Sequence, residues 1–391
     1  MCVDFFKTIV TRVIIFFEHL FLLLPIDKKK ILFYPTNGHY YCNLKYIDKK
    51  IAVENEKIKI IWVKRRADDD SYPNDISFCN YHDIKFLYHF FTSSIIIFNN
   101  NLPVWVFKRH GQIFINTWHG GGAYKKIDKG FSKIPNQWKK KRIYRIVNSI
   151  DYVVSSCKRF SYVFEKDIGS SMKFLPFGMP RNDIFFDANQ MQHAVDLVRE
   201  KYRIQPDKGI VLYAPTFRDN GMRIDLDVNR LLSSLQLRFK KSFILLVRSH
   251  PHLAKDIFSK VQRRDEVIDV SKYVDMQELL AAADVLITDY SSSIWDFSFT
   301  GRPCFIYAND LSSYKKERNF HTPIDEWPFP LAENNEEMVR NIENFNSDIY
   351  KERIFEHHRA LGSYENGTAS EQIGRLIKAI CYKNEKNSGE K

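Results

Sequence analysis

Short runs of β-branched and aromatic residues recur along this chain with helix-length windows between them, and this alternation constrains the fold more than any other feature. Ile31–Tyr34, Ile58–Val63, Ser94–Phe98 and Gln112–Asn116 read as strands, each bounded by polar, Gly or Pro positions. Tyr152–Ser155, Lys173–Pro176, Ile210–Ala214, Phe243–Val247, Val267–Val270, Val285–Thr288 and Cys304–Tyr307 follow, with helical windows such as Met276–Ala283 and Met338–Phe345 among them. Strands that alternate with helices build parallel sheets covered by helices on both faces. At 391 residues the chain is long enough for two such domains. The polar stretch Asp187–Asp207, with a helix over Gln190–Tyr202 and a turn at Pro206, marks the division. The expectation is an α/β protein of two doubly wound parallel-sheet domains facing a cleft, at residues 27–188 and 189–383. A polar tail at 384–391 is expected to be disordered.

Residues 1–26 break this pattern. Val13–Phe17 and Leu20–Leu24 are strongly apolar, but Glu18 and His19 separate them. The run stops short of the roughly 20 residues a spanning helix needs, and no small-residue cleavage site follows it. On a helical period Asp4, Lys7, Thr8, Thr11 and Glu18 gather on one side, with Phe5, Phe6, Ile9, Val13, Phe16 and Leu20 around the remainder. That is an amphipathic helix, expected to lie in a membrane interface. Docking on the protein's own core is the alternative.

Charge and cysteine content narrow the partners. With 59 Lys and Arg against 47 Asp and Glu the net charge is +12, which favours an anionic partner. No RRM, KH or helix-turn-helix pattern accompanies the basic residues, which argues against nucleic acid. The six cysteines form no CxxC pair, so a zinc ribbon and a disulfide scaffold are excluded. No GxxxxGK[ST] sequence is present, which argues against a P-loop nucleotidase. Asp68-Asp69-Asp70 sits among charged and turn residues and reads as a solvated loop; no metal site is expected.

Ligands of open α/β sheets bind where strand carboxyl ends enter loops, and four segments stand there. Asn116–Gly122 follows a strand and sets His119 beside Gly120, Gly121 and Gly122, an ionisable ring next to backbone that a ligand can approach. Phe177–Asp183 is a tight turn presenting Arg181 and Asn182, which together with Gly120 and Gly121 are expected at the acceptor or a phosphate. Tyr213–Arg218, with Thr216 and Arg218, and Val247–Pro251, with Arg248 and His250, each follow a buried strand and offer basic residues beside a proline. Leu286–Ser293 leads from a strand through Asp289 into Ser291, Ser292 and Ser293 at a helix start, where hydroxyls and free N–H groups suit a phosphate. One serine there could simply cap the helix.

In order, HG after a strand, GxPRND, YxPTxR, RxHP and TDYSSxxxDF resemble the CDP-glycerol glycerophosphotransferases of teichoic acid synthesis, which include primases and polymerases. The resemblance covers Asn116–Phe320. It implies a GT-B fold, monotopic attachment to the cytoplasmic face of the membrane, and transfer of a polyol phosphate from CDP-glycerol or CDP-ribitol to a hydroxyl of an undecaprenyl-pyrophosphate-linked or similar lipid-borne acceptor. It further implies that His119 and His250 are the catalytic pair. Ser291–Ser293, with Arg218 and Arg248, would hold the donor pyrophosphate. No cofactor beyond the donor is implied. The chain departs from the family at Gly121-Gly122-Ala123, where a Thr-Pro or similar pair is usual, in a loop expected to shape the acceptor site. A nucleotide-sugar glycosyltransferase of the same architecture is the competing enzyme, since fold does not fix function. Finally, the basic run Lys125–Arg145 includes Lys139, Lys140, Lys141 and Arg142 and carries an apolar side with Trp138 and Ile143. It is expected to rest on anionic lipid.

Overall fold

The computed structural model describes residues 21–54, 57–66, 69, 71–126, 137–169, 171–216, 225–249, 264–317 and 320–382. Residues 1–20 and 384–391, and with them most of the expected membrane helix and the whole tail, lie outside the described residues. Among the described residues no helix is long and apolar enough to cross a membrane.

Two all-parallel sheets carry the fold. The first has the order β3-β2-β1-β4-β5-β6-β7. Its strands are β1 (Asp27–Tyr34), β2 (Lys59–Lys64), β3 (Phe78–Asn80), β4 (Ser93–Phe98), β5 (Ile113–Asn116), β6 (Tyr152–Val154) and β7 (Lys173–Leu175). The second, β10-β9-β8-β11-β12-β13, is built from β8 (Gly209–Tyr213), β9 (Phe243–Val247), β10 (Val267–Asp269), β11 (Val285–Thr288), β12 (Cys304–Tyr307) and β13 (Leu331–Ala332). Central strands are buried along their length, as in β4, β8 and β9. Helices on both faces leave no polar side to alternate with, so continuous apolar runs result. The edge strands β3 and β13, which the sequence reading did not anticipate, are three and two residues long, too short to show a period.

In each sheet the winding reverses once. β1 sits between β2 and β4, and β8 between β9 and β11. Loops leaving the carboxyl ends of strands at such a reversal splay apart and open a crevice. The crevice of the first sheet lies between the loops after β1 and β4, that of the second between those after β8 and β11.

A division at residue 188 does not describe the end of the chain. The helix Ala369–Tyr382 returns to the first sheet, where Ile373, Ile377 and Cys381 share a core with Ile31, Phe33, Leu44 and Ile47. Asp183 accepts the free backbone N–H groups of Ala369 and Ser370 at its start, the pairing such a terminus needs. The apolar stripe of this helix fits the first sheet, so the chain crosses the domain boundary twice. Asp69 also differs from a solvated loop: it is bonded to His39 Nδ1 at 2.6 Å and to the Ser71 N–H at 2.9 Å, with its side chain almost fully buried. Asp68 and Asp70 lie outside the described residues.

Candidate active site

The carboxyl edges of the two sheets meet at the loop after β5. Trp118 takes a left-handed backbone (φ 52°), uncommon for a non-glycine residue and worth a functional reading. Asn116 Oδ1 accepts its N–H at 2.8 Å. Asn43 Nδ2, on the helix Cys42–Glu54, donates to the carbonyls of Thr117 and Trp118 at 3.0 and 3.1 Å. Arg181 Nη1 donates to the carbonyl of His119 at 2.8 Å. Three successive carbonyls are therefore caught, and His119 is presented from a rigid turn.

The side chain of His119 is equally constrained. Its Nδ1 lies 3.0 Å from the main-chain carbonyl of Asn99, at the end of β4. A carbonyl can only accept, so Nδ1 carries the proton and Nε2 keeps its lone pair. The ring is open to solvent at its edge. Desolvation by the walls around it nevertheless lowers its pKa to about 4, against the Asn99 carbonyl and with help from the Arg181 and Lys125 charges. Water at the open edge offsets part of that lowering. The ring is mainly neutral at pH 7 in either case, since an ordinary imidazole titrates near 6.5.

The glycine run serves a purpose the sequence reading did not foresee. Its close neighbour is protein, not ligand. A Cβ on Gly120 would stand 2.9 Å from Ser292 Oγ, and one on Gly121 would stand 2.2 Å from Trp295 Cδ1. Gly122, at φ 77°, would meet Tyr124 at 2.3 Å and Trp295 at 2.8 Å. Only glycine lets the β5 loop lie against the first turn of the helix Ser293–Ser298 on the other domain.

On that opposite wall the serine turn is partly committed. Ser293 is buried and donates its hydroxyl to Ser291 Oγ at 3.0 Å, while Ser292 makes no side-chain capping bond. Asp289 is buried and accepts from the Thr216 N–H and, at 2.6 Å, from Thr216 Oγ1. This pair ties the loop after β8 to the loop after β11 across the second crevice. Arg248 donates through Nη2 to the Val274 carbonyl at 3.3 Å. Its buried Nη1 has no hydrogen-bond partner among the described residues. Arg218 and His250 lie outside the described residues.

Arg181 and Asn182, expected near acceptor or phosphate, are built into the junction between the domains. Arg181 pairs with Asp296 at 2.7 Å, and both side chains are buried. Asn182 donates to Glu365 Oε1 at 3.1 Å and accepts from Gln277 Nε2 at 3.2 Å. Gln277 also donates to Asp296, and Trp295 Nε1 to Glu365, both at 3.0 Å. Lys45 adds a second bridge, 2.6 Å from Asp275 and 2.6 Å from Glu278. Arg181 and Asn182 are thus both buried in this junction, and Arg181 also holds the His119 carbonyl.

The basic helix runs over Gln137–Asn148, with Lys139 and Lys141 exposed and Lys140 half-buried. Arg142 turns inward and donates to the carbonyls of Val104, at 2.9 Å, and Trp105. Nearby, Arg109 holds the carbonyls of Phe21, Leu22 and Leu24 at 3.2, 2.9 and 3.0 Å. The end of the 1–26 segment is thus fastened to the first domain, with Leu23 exposed.

Sequence reading missed Asn99, Trp295, Asp296 and Glu365 as site or junction residues. Only one signal was available for Asn99: three asparagines directly after a buried strand.

Residues 16–379 match the family model described as CDP-Glycerol:Poly(glycerophosphate) glycerophosphotransferase. The chain is 25% identical over 383 residues to a teichoic acid poly(glycerol phosphate) polymerase of Bacillus spizizenii, covering 94% of this chain and 96% of that one. It is 28% identical over 311 residues to a teichoic acid ribitol-phosphate primase of the same organism, covering 75% and 77%. Among solved structures, the wall teichoic acid polymerase TagF superposes with a TM-score of 0.82 at 25% identity, covering 98% of this chain and 97% of that one.

Proposed function

The chain belongs to the CDP-glycerol:poly(glycerophosphate) glycerophosphotransferase family, and from that premise we propose that it transfers glycerol phosphate or ribitol phosphate from a CDP-activated donor to a hydroxyl of a lipid-linked acceptor. CMP is released, and the product is teichoic acid or a related cell-surface polymer. In the step, the acceptor oxygen forms a bond to the polyol-bearing phosphorus as the bond from that phosphorus to CMP breaks. The hydroxyl proton passes to a base.

The observation that carries this reading is the placement of His119. Its Nδ1 proton is held by the Asn99 carbonyl, which leaves Nε2 as the ring's acceptor atom, on a turn that touches the serine turn of the other domain. A base next to an anion-binding turn is the arrangement phosphoryl transfer to a hydroxyl needs. In this reading Ser292 and Arg248 bind the donor pyrophosphate, while Thr216 and Asp289 hold the loop that supports them. His250 and Arg218 keep the roles the resemblance implies, His250 as donor to the phosphate or leaving group. No protein-bound metal or further cofactor enters the reaction.

The acceptor is lipid-borne, so the protein works against a membrane. Supporting this, Leu23, Ile84, Tyr88, Trp138 and Tyr144 are exposed large apolar or aromatic side chains. Lys139 and Lys141 stand beside the last two on the same helix. Aromatic feet among lysines suit an anionic lipid interface. Incubation with CDP-glycerol and CDP-ribitol over a panel of lipid-linked acceptors, following CMP and product length, tests the function. CMP formed in step with a polyol-phosphate product supports it; transfer of a sugar from a nucleotide-sugar, with no reaction from either CDP-polyol, overturns it.

A further inference from the structure

The crevice of the first sheet, between the loops after β1 and β4, is not used by any residue assigned so far. The loop after β1 is pinned at both ends to the supports of His119. At its start Thr36 donates to Asn99 Oδ1, through its N–H at 3.0 Å and its hydroxyl at 2.8 Å. Asn99 in turn takes the His119 Nδ1 proton on its main-chain carbonyl. At its other end Cys42 Sγ lies 3.3 Å from Arg181 Nη1, which also donates to the His119 carbonyl. The middle is fixed as well. Tyr72 donates its hydroxyl to the Gly38 carbonyl at 2.8 Å, and the Tyr40 N–H bonds Ser71 Oγ at 3.0 Å.

This rigid loop presents His39. Its Nδ1 lies 2.6 Å from Asp69 Oδ2, and Asp69 Oδ1 accepts the Ser71 N–H at 2.9 Å. Burial opposes ionisation of Asp69, but Ser71 and the His39 ring outweigh it and hold its pKa below the ordinary value. An ionised carboxylate can only accept, so Nδ1 carries a proton and the ring is oriented. The Asp69 side chain is 5% exposed and that of His39 37% exposed. A simple tie between two loops would bury both partners. Here only the acid is inside, and Nε2 makes no hydrogen bond among the described residues. A buried acid that aims an exposed imidazole at a strand's carboxyl end is the arrangement of a binding or catalytic site.

Three residues separate His39 from Thr36 and from Cys42, so it stands no more than about 11 Å from either anchor. A ligand that meets both His119 and His39 is therefore extended along the wall of the first domain, opposite the serine turn. We propose that His39, aimed by Asp69, binds a phosphodiester of the acceptor lying behind the attacking hydroxyl, so that an acceptor already carrying a polyol phosphate is preferred. The ring takes a second proton as it binds and donates Nε2–H to a phosphate oxygen, a cation between two anions. The inference rests on the phosphotransfer reading above. The phosphate belongs to the acceptor because His39 shares its wall with the base, while the donor pyrophosphate is assigned to the other.

Steady-state kinetics tests it with two lipid-linked acceptors, one ending in a sugar hydroxyl and one in a polyol joined through a phosphodiester. The donor is whichever of CDP-glycerol and CDP-ribitol the wild type accepts, and the wild type should show the lower KM for the phosphodiester acceptor. His39→Asn keeps a donor where Nδ1 stands, so the Asp69 tie survives, and it removes Nε2. It should raise the KM of the phosphodiester acceptor about ten-fold, the scale of a hydrogen bond to a charged group. The KM of the sugar-ended acceptor, the donor KM, kcat and the melting temperature should stay as in the wild type. Asp69→Asn should raise the same KM alone, and the double variant should be no worse than His39→Asn. An unchanged phosphodiester KM in His39→Asn overturns the proposal, as does an equal rise on both acceptors or a wild type without the preference. Additive losses in the double variant overturn the positioning role of Asp69. A wild type that releases no CMP from either donor overturns the phosphotransfer reading itself, a result distinct from all of these.

Discussion

The tautomer of His119 is set by what its neighbours forbid. The Asn99 carbonyl cannot donate, so it assigns the tautomer, and the surrounding walls disfavour the imidazolium. The sign of the pH dependence follows. Activity that needs neutral His119 is complete above the ordinary histidine range and falls only as pH drops through the lowered value near 4. A kcat/KM profile should therefore show its acidic limb below pH 6; a limb centred at or above 6.5 would mean that the ring is not held as described. His119 itself was legible as a histidine beside glycines after a strand. Asn99 was not, because its place beside the ring comes from which strand ends become neighbours in the folded sheet.

At the scale of elements, the glycine loop and the serine turn are two halves of one contact. Gly121→Ala puts a methyl group into the Trp295 ring. Overpacking of this kind destabilises by about 1–3 kcal/mol, and it should lower both the melting temperature and turnover. A variant as stable and active as the wild type would mean that the two loops are not in contact in solution. On the serine side, Ser292→Ala should weaken CDP-polyol affinity by about 1.5–3 kcal/mol, as a lost donor to a charged phosphate. Ser293→Ala should act mainly through stability, since its hydroxyl is spent on Ser291. Isothermal titration of the two variants separates these roles. The long central strands and the helix Met276–Ala282 could be read from their apolar runs and windows. The edge strands β3 and β13 could not, being shorter than any period, and the return of Ala369–Tyr382 to the first sheet is a tertiary choice with no local signature.

Across the whole molecule, a buried polar junction holds the two domains in register. Arg181 and Asp296 form its ion pair, and Glu365 ties Trp295 to Met179 and Asn182. Removing one member of such a pair leaves a buried charge alone, so Arg181→Leu should destabilise by about 3–5 kcal/mol and release the His119 carbonyl. Denaturant unfolding measures the first effect. The same scale holds the membrane question. Changing Lys139, Lys140 and Lys141 to Glu should reduce binding to anionic liposomes, and high salt should mimic it. Unchanged liposome binding would remove this helix from the interface. Function was legible from the ordered motifs because each lies at a strand end, where chemistry collects. The junction was not, since the motif residues Arg181, Asn182 and Asp296 look the same in sequence whether they meet substrate or each other. The account as a whole stands on CMP release from a CDP-polyol by the cleft that His119 faces. Wild type and His119→Ala, assayed side by side with CDP-glycerol or CDP-ribitol and a lipid-linked acceptor, give the direct measurement. The expected result is CMP released in step with polyol-phosphate product, and at least about a 10²-fold fall in turnover for the variant at unchanged stability. Equal turnover in the two proteins, or no CMP from either donor, would contradict it.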